Sequence, residues 1–190
     1  VASEVEVCNR GLQLLGAESI ISLTENSNNA RRCLLAYTPV RLAFLRKHTW
    51  SCAITRAALL ADAVAPVFGR ARAFALPADY IRLMPPYAED NPNDLDWQIE
   101  GKKIYTDDSA PLQIRYIFDL KDVNTMDALF REALAHTIAL NICESVTNSS
   151  SKKRDIAVGL ADVLADAKRV NAMERPSQIP PEDTWVTVRA

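Results

Sequence analysis

The sequence predicts an α+β fold: an antiparallel bundle of about four helices, an antiparallel β-rich insert between its two halves, and an extended C-terminal arm. Three observations carry this prediction. Apolar residues recur at helical spacing over 4–47 and again over 124–174, whereas between these stretches they alternate with a period of two. The change of period falls at 47–54, where the helical set Cys33, Leu34, Tyr37, Phe44, Leu45 gives way to Trp50, Cys52 and Ile54 alternating with Ser51, Ala53 and Thr55. After Glu174 the periodicity stops, and Pro176, Pro180 and Pro181 exclude a continuous helix. The 190 residues suit a single domain over 1–190, with 1–48 and 124–175 as the helical bundle, 49–123 as the β-rich insert and 176–190 as the arm.

The first helix is expected over 4–15. Ser3 and Glu6 form an S-x-x-E capping box, Val5, Cys8, Leu12 and Leu15 share one face, and Gly16 supplies the left-handed stop. Ile20, Ile21 and Leu23 make a short apolar burst before the polar run 24–29, which ends in good N-cap residues. A second helix follows over 30–47. Pro39 lies inside it, lacks a backbone donor and disfavours helical geometry at Thr38, so a kink or break is expected there.

In the insert, 50–59 reads as one strand and 72–83 as a second, interrupted by Leu76, Pro77, Ala78 and Asp79, where the proline argues for a bend or an edge. The stretch 85–96 is proline-rich and acidic and reads as a loop. Residues 97–100 and 103–106 flank Gly101 and Lys102 as a β-hairpin. Over 112–118, Leu112, Ile114, Tyr116 and Phe118 alternate with Gln113, Arg115 and Ile117, the clearest strand pattern in the chain. Short neighbouring strands without long crossovers imply antiparallel pairing.

Asn124 or Thr125 is expected to cap a third helix with the face Leu129, Phe130, Ala133, Leu134, Thr137, Ile138 and Ile142. Residues 148–151 break it. A fourth helix over 152–174 turns Ile156, Leu160, Val163, Leu164, Ala167 and Val170 inward and Lys153, Arg154, Asp162, Asp166, Lys168 and Arg169 outward. The terminal stretch 184–188 is β-prone. Its Trp185 either docks on a partner or packs back on its own domain.

Composition excludes more chemistry than it suggests. A hydrophobic content of 48%, a charged content of 24% and a net charge of -2 describe an ordinary globular protein without a strongly basic surface. No signal pattern or membrane-spanning run is present, so synthesis in a cytosol without membrane insertion is expected. Cys8, Cys33, Cys52 and Cys143 are scattered and expected to be free thiols. None of the phosphate-binding, dinucleotide, nucleophile-elbow or zinc-protease motifs occurs, and no cofactor or metal is expected. His136 is expected to play a structural part on the third helix, and His48 to act as a helix cap or local hydrogen-bonder. Glu89, Asp90, Asp94 and Asp96 read as a solvated loop rather than an acid–base pair or cation site. Arg56, Arg70, Arg72 and Arg82 read as a salt-bridged surface rather than a nucleic-acid face.

Several of these residues, in this order, resemble the tail tubular protein A family of short-tailed bacteriophages and prophages. The likeness runs through Asn9, Arg10, Leu12, Leu15 and Gly16, then Cys33, Tyr37 and Arg41, then Leu45, His48, Trp50, Ser51, Ala53, Arg56, Ala57 and Leu59. It continues with Leu76-Pro77-Ala78-Asp79, Arg82, Leu83, Ile104-Tyr105-Thr106-Asp107, Ile114-Arg115-Tyr116-Ile117 and the closing helix pair. Many members carry an aromatic where Ala75 stands, so that contact is expected to be weaker or made by Phe74. The resemblance implies a non-enzymatic virion protein, a head-to-tail adaptor (gatekeeper) ring between portal and tail nozzle, a dodecamer assembled in the host bacterial cytoplasm. DNA would pass through its channel without sequence-specific binding. A net charge near zero suits that passage, because each phosphate neutralised by Lys or Arg adds affinity. Ile179, Trp185, Val186, Val188 and Arg189 are the candidate portal-binding residues, and His48, Trp50, Leu76, Pro77 and Asp79 the candidate structural junction. The rival readings are a tail-associated glycan hydrolase using the acidic loop and a nucleic-acid-binding module using the arginines.

Overall fold

A computed structural model describes residues 2–84 and 97–174. Four helices pack together, and two small antiparallel three-stranded sheets are inserted between the second and third. The first helix, α1 (Glu4–Leu15), carries the expected capping box, with Ser3 Oγ accepting from the Glu6 N–H at 3.2 Å and Glu6 Oε2 from the Ser3 N–H at 3.0 Å. It stops at Gly16, whose φ of 72° is left-handed. The second helix, α2 (Asn28–Lys47), starts two residues earlier than expected because Ser27 is its cap, accepting from the Ala30 N–H at 3.1 Å. It runs unbroken through Pro39. Pro39 and Leu35 both sit on the solvent side, so the Leu35 carbonyl that loses its i+4 donor faces water rather than a dry core.

The third helix, α3 (Ala128–Thr147), is capped by Asp127 and not by Asn124 or Thr125, which lie in a 3-10 turn (Val123–Thr125) capped by Asp122. It is the central helix: α1, α2 and α4 all pack against it. Its buried set therefore extends beyond the predicted stripe to Ala135, His136, Ala139 and Cys143, while Leu129 and Thr137 are only half-buried. A helix surrounded on several sides needs apolar residues around most of its circumference. Gly11 of α1 allows the close approach, since a Cβ there would lie 3.1 Å from the Ala135 carbonyl oxygen. The fourth helix, α4 (Ser150–Met173), starts at the Ser149 cap and packs on one side only. Ile156 and Ala167 are fully buried, Leu160, Val163 and Leu164 half-buried, and Val170 is exposed.

The insert departs from the predicted strands in two places. Trp50 does not begin a strand: residues Ser51–Ala53 form a 3-10 turn and β1 is Ile54–Leu59. Ala53 is fully buried, against the predicted alternation, because the turn rotates the chain before the pleat begins. The stretch 72–83 is not one bent strand either. It gives β2 (Arg72–Ala75) and β3 (Tyr80–Met84), which belong to different sheets, and Leu76 to Asp79 carries the chain across. The hairpin β4 (Trp97–Glu100) and β5 (Lys103–Thr106) turns at Gly101, φ 59°. The last strand, β6 (Leu112–Phe118), is central to the sheet ordered β1-β6-β3, and the other sheet is ordered β2-β5-β4.

Two cores explain the layering. The larger joins the helices to Trp50, Ile117, Leu120, Val123 and Met126, and the smaller contains Phe74, Ile104, Ile114 and Tyr116. Successive residues of β6 serve both: Ile117 points to the helices, Ile114 and Tyr116 to the second sheet. The sheet containing β6 is thus the middle layer, contributing apolar residues to both cores.

Candidate functional site

The junction where α2 hands over to the sheets is built around Trp50, 2% exposed. The backbone leaves the helix at His48, the C-cap residue, which is extended. The Trp50 ring stacks on Phe44 (centroids 5.0 Å apart) and meets Phe130 of α3 (5.2 Å) and His48 (4.7 Å) edge to face. Its Nε1–H donates to the Phe44 carbonyl at 3.3 Å, so the indole is buried without an orphan donor. Asn171, in the last turn of α4, closes the site. Its Oδ1 accepts from the Ser51 N–H at 2.7 Å and its Nδ2 donates to the Thr49 carbonyl at 2.9 Å, while the His48 Nε2 lies 3.5 Å from that amide nitrogen. His48 therefore works as a cap and ring contact.

Leu76, Pro77 and Asp79 form a second cluster, at the crossing between sheets. The Leu76 N–H donates to the Lys102 carbonyl (2.9 Å) and the Pro77 carbonyl accepts from Tyr80 (3.1 Å). Asp79 bridges two elements: Oδ1 accepts from the Tyr116 hydroxyl at 3.0 Å, and its carbonyl accepts from the Asp119 N–H at 2.8 Å. Burial, aided by the Asp79 carboxylate, pushes the Tyr116 phenol up to about 12, so it stays a neutral donor. Asp119 in turn pairs with Arg41 of α2, which is 3% exposed and also donates to the Leu120 carbonyl at 2.8 Å. A polar chain from α2 through Asp119 and Asp79 to Tyr116 thereby fixes helix layer to sheet layer. Arg41 was legible as a charge on the apolar face shared by Tyr37, Phe44 and Leu45; Asn171 gave no signal among the polar residues of α4.

The other predicted residues fall as follows. His136 is buried, with Nδ1 3.0 Å from the Glu132 carbonyl oxygen, a structural position. The arginine set is divided between sheets. Arg56 lies directly across from Arg115, on the same face of the middle sheet as Arg82, which donates to Thr49 Oγ1 at 2.6 Å. Arg70 and Arg72 instead bind the 107–108 turn at the end of the second sheet. Cys8, Cys33 and Cys143 are buried and Cys52 half-buried, all as thiols. Contact with Cys33, together with burial, pushes the Cys8 thiol far up. The acidic residues Glu89, Asp90, Asp94 and Asp96, and the arm residues Ile179, Trp185, Val186, Val188 and Arg189, lie outside the described residues. Among the described residues no group of three or more His, Cys, Asp or Glu is placed to hold a metal ion, and no helix is long and apolar enough to cross a membrane.

Two exposed apolar surfaces were not anticipated. The connection between β1 and β2 carries Leu60 (79% exposed), Val64 (80%), Val67 (97%) and Phe68 (90%). Its base is clamped: Asp62 pairs with Lys103 at 2.7 Å and donates its N–H to the Ala73 carbonyl at 2.8 Å, and Asp107 accepts from the Ala71 N–H (2.7 Å) and Arg70 (3.2 Å). Those contacts, the backbone N–H first, hold the Asp107 carboxyl below the usual range. The second surface is an open groove between α2 and α3, lined by Leu35, Ala36, Pro39, Val40, Ala43 and Ile142 with Arg32, Asn141 and Ser145 at its rim. Its Leu35 is 77% exposed. Comparison of the chain with protein-family models and with curated proteins gives no match.

Proposed function

We propose that this chain is a head-to-tail adaptor of a short-tailed phage or prophage, a structural ring subunit between portal and tail nozzle, acting without enzymatic chemistry or cofactor. The observation that carries the reading is where the residues resembling the tail tubular protein A family meet. His48, Trp50 and Ser51 form the helix–sheet junction; Arg41, Asp79 and Tyr116 form the polar chain beside it. Part of the likeness thus falls at the contacts between the two layers, where it supports a shared fold.

Exposed apolar surface supports an assembling protein as well. Ordinary monomers seldom leave four large apolar side chains exposed on one short connection. In the proposed assembly the subunits join as a dodecameric ring in the virion neck, DNA passes through the channel, and the 176–190 arm with Trp185 docks on the portal. The test is electron microscopy of the full chain mixed with the portal encoded beside it. Rings seated on the portal are expected; their absence under all conditions would remove the reading. A chain ending at 175 should keep its fold and lose portal capture, and unchanged capture would take the docking role away from the arm.

A further inference from the structure

We propose that the tip of the β1–β2 connection is a self-association element that seats Val67 and Phe68 in the α2–α3 groove of a second copy of this chain, head to tail. The connection from 63 to 69 contains no charged residue and presents Val64, Val67 and Phe68 almost fully to solvent. It is presented by a fixed base, since Asp62–Lys103 and the Asp107 bonds to Arg70 and Ala71 pin both ends. Apolar side chains held out on an ordered support lose little conformational entropy on docking.

The charge around the tip selects the kind of partner. Arg70, Arg72 and Lys103 are balanced by Asp62, Asp107 and Asp108, with Arg70–Asp107 and Asp62–Lys103 directly paired. A neutral collar gives no attraction to anionic lipid or nucleic acid. It suits an apolar protein surface, and the chain carries one of matching chemistry in the groove floored by Ala36, Val40 and Ile142 and walled by Leu35, Pro39 and Ala43. The groove lining contains no residue of the connection, and Val67, Phe68 and Leu35 are all exposed. One copy therefore does not fill its own groove. Because tip and groove are different surfaces, the contact is heterologous, and heterologous contacts propagate into rings or filaments.

Its size sets its strength. Three apolar side chains at the tip fall short of the roughly 800 Å² a side of a stable pair. Isolated pairs are then weak, and closure into a ring supplies the rest. For ring closure the proposal rests on the adaptor reading; the contact itself does not.

The experiment uses full chains carrying Phe68→Cys or Leu35→Cys, mixed and bridged with a short bis-maleimide. Both positions are exposed, so neither substitution disturbs the fold, and Val67 with the remaining groove residues keeps the contact. Bridged heterodimer should exceed several-fold that from Phe68→Cys mixed with Ile21→Cys, a control position that is 93% exposed. Equal yields overturn the proposal. So does preferential bridging of Leu35→Cys to Trp185→Cys, which assigns the groove to the 176–190 segment. In sedimentation at high concentration, Phe68→Asp and Leu35→Asp should each stay monomeric, while their mixture forms a heterodimer that grows no further. Rings of both Asp variants on the portal would sink the contact and leave the adaptor reading standing; bridging without rings on any portal would do the reverse.

Discussion

Asn171 and Ser51 are 120 residues apart in sequence and are joined by a 2.7 Å hydrogen bond from the Ser51 backbone N–H to the Asn171 side-chain oxygen. The same amide donates to the Thr49 carbonyl. The last turn of α4 thus supplies both a donor and an acceptor to the backbone as it leaves α2 for the sheets. Asn171→Ala removes both and leaves two half-buried backbone groups without these partners, at an expected cost of about 1–3 kcal/mol in urea unfolding. Asn171→Asp should not rescue it, because a carboxylate accepts from Ser51 but repels the Thr49 carbonyl.

Trp50 fills the space between α2, α3 and β1, and the cavity left by Trp50→Ala should cost about 3–5 kcal/mol. Trp50→Phe keeps a ring against Phe44 and Phe130, loses the Nε1 hydrogen bond and should cost less. Equal losses for the two, measured by equilibrium unfolding, would mean that the ring stack contributes little.

Arg41 and Asp119 predict an asymmetry. The Arg41 side chain is 4% exposed and that of Asp119 19% exposed, with the Lys121 ammonium 3.7 Å from the carboxylate. Asp119→Ala strands a buried guanidinium and should cost about 3–5 kcal/mol. Arg41→Met leaves a carboxylate that still has water and Lys121, and should cost distinctly less.

Glu132 gives a pH signature. The hydrogen bond from Arg10 holds its carboxyl below the usual range. With the folded pKa depressed, the stabilisation is full above the unfolded value of about 4.3 and disappears as pH falls through the folded one. Both side chains are substantially solvated, so the amount is under ~1 kcal/mol. The stability difference between the parent chain and Glu132→Gln should be flat above about pH 5 and shrink below about pH 4.

Pro39 predicts a gain. With α2 unbroken and Pro39 exposed, Pro39→Ala returns a donor to the Leu35 carbonyl. Against the lost rigidity of the unfolded chain, a net stabilisation of about 1–2 kcal/mol is expected in thermal unfolding at low protein concentration.

Local chemistry determined much of this protein from sequence alone. The capping box at Ser3, the left-handed stop at Gly16, the Gly101 hairpin and the α+β order all follow from contacts within a few residues, and the structure has them. Trp50 was likewise legible as a large anchor at the change of period. What sequence left open, tertiary structure decided. Whether 72–83 is one strand or two depends on a second sheet taking β2, and that sheet is assembled from β4 and β5 farther along the chain. The partners of Arg41, Asp79 and Ser51 are 78, 37 and 120 residues away. The exposure of Val67 and Phe68 emerges only once both cores are filled by other residues. Periodicity records which side of an element is apolar; only the packed fold decides which apolar residues find cover and which stay exposed.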